Sequence, residues 1–208
     1  SGSTAVAKST ATPSSPDNPF AALQLGLKIT DSTDGANFNS LTMNPATAGS
    51  CSAAGTCNAQ AIGSAFPARF GQLALFPGYG SELAAMAVPM QLQYWNGSAF
   101  VLNGLDTCTS ISPAMVSLAG WSGNLTSGST SVSSVAAFSG GKSTVRLSAP
   151  GAGKSGRVGV SIGLTANTSS HLWVKPQGGS SFSADPATTA NFGLYRASPN
   201  VIHLRESY

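Results

Sequence analysis

The chain has two histidines, three cysteines and seven carboxylates in 208 residues, and their placement limits the chemistry open to it. Nucleophilic hydrolysis needs a Ser or Cys whose proton is taken by a positioned His, itself oriented by a carboxylate. His171 and His203 each fall in a short alternating segment and read as partly exposed strand histidines. No Gly-x-Ser-x-Gly elbow is expected. Glycoside hydrolysis requires two carboxyl groups about 5 to 10 Å apart, and the seven acids are dispersed singly, most of them in or near turns. Pro150-Gly-Ala-Gly-Lys-Ser155 approaches a phosphate-cradling loop. The first glycine of that motif would have to stand at 148, which is Ser148, and Arg157 to Leu164 alternates as a strand instead of opening a helix. The segment is a Gly-rich turn on this reading, and neither catalysis nor a bound cofactor is expected.

Metal and thiol chemistry are also limited. Asp31 and Asp34, in Asp31-Ser-Thr-Asp34-Gly35, are a weak Ca²⁺ candidate that falls well short of an EF-hand loop, and the bland reading is an Asx-type turn. No metal site is therefore expected. Cys51 and Cys57 enclose a Ser-Ala-Ala-Gly-Thr loop, and Cys108 stands apart. In an oxidising compartment a 51 to 57 bridge would contribute roughly 2 kcal/mol on the chain-entropy estimate. Pairing of Cys108 with either of the others remains an alternative.

Charged residues make up 8% of the chain, against about 25% for an ordinary soluble domain, and Ser, Thr, Ala and Gly dominate instead. The net charge of +3 comes from ten basic and seven acidic residues without clustering, so neither nucleic acid nor an anionic membrane surface is an expected partner. No apolar run approaches the roughly 20 residues that span a bilayer, and membrane insertion is not expected. Tyr94, Trp95 and Trp121, with Tyr79 and Trp173, are candidates for stacking against a sugar; core and cross-strand packing is the competing use of such aromatics.

Periodicity identifies the elements. Leu23, Leu25, Leu27 and Ile29 share one face of an alternating run, a half-buried strand with an apolar face open to interaction. Similar runs occur at Arg69 to Phe76, Val88 to Trp95, Ala99 to Asn103, Thr144 to Ala149, Arg157 to Leu164, His171 to Lys175, Asn191 to Arg196 and Val201 to Glu206. Gly, Pro, Asn and Ser clusters separate them at sandwich-like spacing. Glu82 to Met86 and Pro113 to Leu118 have the composition of short helices. Asn96-Gly97 is expected to be the central pair of a two-residue hairpin turn, since both positions tolerate positive φ. The fold class is therefore all-β: an antiparallel sandwich, immunoglobulin-like or jelly-roll-like, over residues 21–208. A division into two β subdomains near 105–125 is the alternative. Residues 1–20 are Ser, Thr, Ala and Pro-rich and form an extended arm that gains order only where its backbone finds partners.

Three segments carry a family likeness: Arg69-Phe-Gly-Gln-Leu-Ala-Leu75 with Tyr79-Gly-Ser-Glu-Leu83, the hairpin Met90 to Leu102, and the ending from Ala187 to Tyr208. Together they resemble the C-terminal domain of MshQ-like proteins, which accompany mannose-sensitive haemagglutinin (MSHA) type IV pili of Gram-negative bacteria. The likeness is specific from about Pro67 onward and looser from Leu23. The chain departs from the family pattern at His203-Leu204 and at Asp31 to Gly35, so no role is carried to those positions. The resemblance implies an extracellular, non-enzymatic structural or adhesive domain, disulfide-bonded, whose partners are other surface or pilus proteins, copies of itself, or a glycan. A filament subunit that exchanges its arm or its Leu23 strand with a neighbour is the alternative from the assembly class.

Overall fold

A computed structural model of the chain describes residues 16–27, 60–165, 171–179 and 181–194. The arm up to residue 15, Ile29, Asp31, Asp34, Cys51, Cys57, and the closing strand with His203 lie outside the described residues. The chain divides into two compact units. The smaller comprises Pro16–Phe70 with Trp95–Ala99, and the larger is built from Gly71–Tyr94 and Phe100–Tyr208.

In the smaller unit, β1 (Phe20–Leu27) pairs antiparallel with β2 (Gln60–Ala68). β1 coincides with the strand expected at Leu23, begun three residues earlier. Leu23 is half-buried and stands opposite Phe66, and Leu25 stands opposite Ile62.

The larger unit is all-β, with two sheets packed as a sandwich. One sheet has the order β3 (Gly71–Leu75), β5 (Met86–Trp95), β9 (Lys142–Leu147), β8 (Val132–Val135), with β6 (Phe100–Leu102) also pairing with β5. The other has the order β4 (Gly78–Gly80), β11 (Ala187–Phe192), β10 (Gly156–Ile162), β7 (Val116–Gly123). Strands from before and after residues 105–125 are neighbours in both sheets, so the sandwich does not divide there. Among the described residues β4 runs parallel to β11, whereas β3 with β5, β5 with β9, β8 with β9, and β10 with both β7 and β11 are antiparallel.

Period-two alternation aims one face of each strand at the seam between the sheets. Met86, Val88, Met90 and Leu92 of β5 and Val145 and Leu147 of β9 meet Val158, Val160 and Ile162 of β10 and Phe192 of β11, all essentially without solvent contact. Burial of each such side chain contributes about 1.5–3 kcal/mol. Arg146 and Arg157 alternate to the outside.

Two irregularities have local causes. Pro89 lies inside β5, where a proline normally costs a ladder bond. Its carbonyl accepts from the N–H of Phe76, one residue past the end of β3, so the missing donor falls where the pairing with β3 stops. In β7, Ala119 stands opposite Gly159 but Ser122 opposite Arg157. The extra residue is taken up at Gly120, φ +67°, a bulge of the kind that needs a left-handed glycine. The bulge returns Trp121 to the inner face, where it packs on the core beside Leu118.

Several expected elements take other forms. The hairpin of β5 and β6 is present and Gly97 has φ +105°, but the turn is shifted by one residue. The N–H of Asn96 donates to the Ala99 carbonyl, and the Asn96 side-chain oxygen accepts the N–H groups of Ser98 and Ala99. Asn96 is thus a corner of the turn rather than half of its central pair, because an Asx side chain can replace the backbone acceptor. His171 to Lys175 is not a strand but one 3-10 turn at Leu172–Val174. Of the two short helices, Pro113–Met115 survives as a single 3-10 turn before β7, whereas residues 81–84 make a turn closed by the Ala84 N–H on the Ser81 carbonyl.

β7 and β10 approach so closely that a Cβ placed on Gly156 would overlap the carbonyl oxygen of Ser122 and sit 3.1 Å from Leu125 Cγ. The Gly156→Ala variant should therefore lose about 1–3 kcal/mol by overpacking, lowering the thermal midpoint by roughly 3–10 °C. An unchanged midpoint in a calorimetric melt would contradict this packing.

Candidate functional site

After β6 the chain turns through a loop organised by Asp106. Its Oδ1 accepts the N–H groups of Cys108 at 3.1 Å and Thr109 at 2.9 Å, and its Oδ2 accepts the Thr109 hydroxyl at 2.8 Å. A carboxylate has about four acceptor positions, so this arrangement fixes the loop and leaves one position on Oδ2. Thr109 is buried, and its Oγ1 in turn accepts the indole N–H of Trp173 at 3.2 Å. One hydroxyl thereby joins the 106–111 loop to the 3-10 turn that carries Trp173.

That turn is braced from below. His171 is only 4% exposed, and its ring lies 5.1 Å from that of Trp173 at an interplanar angle of 42°. The backbone N–H of His171 donates to the Leu164 carbonyl, while the Leu164 N–H donates to Asp185 Oδ1. Asp185 pairs with Lys175 at 3.2 Å, and the buried Lys175 ammonium also donates to the Ser183 carbonyl. A buried cation held in this way fixes geometry more than it adds stability. The ring of Trp173, 43% exposed, is therefore set on a rigid support.

A cavity of about 370 Å³ opens between the 106–111 loop and the segment that follows β8. Asp106, Thr107, Thr109 and Ser110 supply a polar wall; Ile111, Val135 and Phe138 supply an apolar one. Among the described residues no group of three or more His, Cys, Asp or Glu is placed to hold a metal.

The residues singled out in the sequence are not gathered here. Trp121 faces the core on β7, and Tyr94 and Trp95 are half-buried at the end of β5. Tyr79 on β4 is exposed. Cys108 is exposed with a free thiol, and its candidate partners Cys51 and Cys57 lie outside the described residues. His171, expected as a partly exposed strand residue, is instead buried against Trp173, and its Nδ1 has no hydrogen-bond partner. The spacing of a nucleophile elbow does occur, at Gly159-Val160-Ser161-Ile162-Gly163. Ser161, however, is the penultimate residue of β10, opposite Ser117 on one side and Ala187 on the other. An elbow needs a strained strand-to-helix turn, and Ser161 is held within the sheet ladder rather than on such a turn. The Gly-rich segment at 150–155 is a turn leading into β10, closed by the Lys154 N–H on the Gly151 carbonyl.

Fold and site together define a β-sandwich domain with a small polar-rimmed cavity and one braced aromatic. The model of the family described as DUF6701, fourth domain, matches residues 69–207, about two thirds of the chain, and the chain belongs to that family. No curated protein and no solved structure matches it.

Replacing Thr109 with Val keeps its shape and removes the hydroxyl that links Asp106 to Trp173. The expected cost is about 0.5–1.5 kcal/mol, the net worth of a hydrogen bond whose partners, Asp106 and Trp173, can still turn to water. The Trp173 indole N–H resonance in a ¹H–¹⁵N spectrum should move and exchange faster with water. An unmoved resonance would show that the bond does not form in solution.

Proposed function

We propose that this chain is a non-enzymatic, extracellular structural or adhesive module, carried by a protein of MshQ-like type and associated with an MSHA-type type IV pilus. The observation that carries the reading is the coincidence of boundaries. The family match begins at Arg69, two residues before β3 opens the sandwich, and leaves out β1 and β2. A unit matched as a fourth domain and bounded in this way behaves as one self-contained module of a longer surface protein. The resemblance of Arg69 to Leu75, of the β5–β6 hairpin and of the C-terminal segment supplies the pilus association. A charge-poor, hydroxyl-rich surface suits neither nucleic acid nor an anionic membrane, and His171, packed beneath an indole, is better placed for support than for proton transfer.

A second reading, a filament subunit assembled by strand addition, draws on β7. Among the described residues this eight-residue strand pairs on one side only, with β10, and an open edge is a template for another chain. The bulge at Gly120 twists that edge and weakens it as a template, which ranks the filament second. The apolar face of Leu23, Leu25, Leu27 and Ile29 is the other surface such assembly would use.

The test is to delete the segment encoding residues 69–207 in the native bacterium and measure both surface attachment and pilus number. The module reading predicts that intact protein is reached by protease on whole cells and is recovered with sheared pili. It also predicts that deletion lowers attachment several-fold while filaments remain. Protein confined to the cytoplasm, or attachment unaffected by the deletion, would reject it. Loss of the filaments themselves would favour the subunit reading.

A further inference from the structure

We propose that the cavity beside the 106–111 loop is a binding site for a neutral sugar, with Trp173, whose indole N–H donates to the wall residue Thr109, as its aromatic platform. The inference deepens the adhesive reading and rests on it for the setting in which such a ligand is met. Its volume of about 370 Å³ falls at the lower end of the range of small-molecule sites, about 300–1,000 Å³, which suits a ligand of one or two rings. A pyranose presents hydroxyls around its rim and C–H groups on its faces. The two walls match that division: Thr107, Thr109 and Ser110 with Asp106 on one side, Ile111 and Phe138 on the other.

Charge narrows the class. Among the described residues no Lys, Arg or His lines the cavity, so an anionic ligand would meet the Asp106 carboxylate without a compensating cation from them. A metal or an amine would have to compete for a carboxylate already accepting three protein donors. A neutral hydroxyl needs only the remaining acceptor position on Oδ2.

The aromatic is the second, independent observation. An exposed indole is ordinarily mobile, yet Trp173 is held at its N–H by Thr109, itself a wall residue, and over its ring by the buried His171. Fixing a large apolar surface before the ligand arrives removes an ordering cost of about 0.5–1.5 kcal/mol per side chain from binding. Trp173 stays 43% exposed despite this bracing, so the bracing prepares a flat surface for the face of a sugar ring.

The purified full chain should be screened on an array of neutral and acidic oligosaccharides, and the strongest neutral binder titrated by NMR. Binding of at least one neutral oligosaccharide is expected, weakened tenfold or more by Trp173→Ala and several-fold by Ser110→Ala. Trp173→Phe, which keeps an aromatic face, should retain most of it. Trp95→Phe should change nothing, and thermal melts would confirm that each variant is folded. Absence of any neutral binder, preference for acidic glycans, or binding indifferent to Trp173→Ala would overturn the proposal. Failure here with attachment still lost on deletion of residues 69–207 would remove the sugar site and leave the adhesive module. A positive array with a cytoplasmic protein would do the reverse.

Discussion

The apolar seam between the two sheets is the constraint on which everything else in this domain depends. Charges are few, and the Lys175–Asp185 ion pair joins segments between strands rather than the strands themselves. The register of each strand is set by which of its residues can enter the seam. A slip of one position would expose Met86, Val88, Met90 and Leu92 together, which is why β5, paired on both sides, is the most regular element. Even its proline is placed where the neighbouring strand has ended.

The candidate site takes its rigidity from that seam. Val174, between the exposed Trp173 and the buried Lys175, is part of the core cluster, so the 3-10 turn is anchored from the inside while its indole faces out. Ile111 does the same for the loop. Asp106 and Thr109 then connect two loops that each have one foot in the core. The arrangement is a chain of hydrogen bonds from indole to hydroxyl to carboxylate, and among the described residues no Lys or Arg lines the cavity beside the loop. That pattern supports the proposed recognition of an uncharged ligand.

Much of the sandwich was legible from alternation alone. Met86 to Trp95, Lys142 to Leu147 and Gly156 to Ile162 are strands buried on one face, and their sequences repeat every two residues for that reason. The strands that escaped notice lack the signal for physical reasons. β4 is Gly-Tyr-Gly, chosen because a side chain at Gly78 would strike Met86. β7 and β8 lose their period at bulges. Segment 171–175 alternates in composition but turns in space, with its Val174 N–H closing onto the His171 carbonyl. The site was less legible still. Trp173 could be named as an aromatic, but its partner Thr109 is 64 residues away, and no local pattern reports a contact brought about by the closing of the sandwich. Asp106 and Thr109 left only the faint mark of an acid three residues before a hydroxyl.

The central claim is that the family-matched segment is a self-sufficient sandwich that carries its own site. Expressing residues 69–208 alone and following near-ultraviolet circular dichroism through a thermal melt tests it most directly. The account predicts one cooperative transition within about 5 °C of that of the full chain. A broad, non-cooperative loss of signal, or an unfolded fragment, would contradict it.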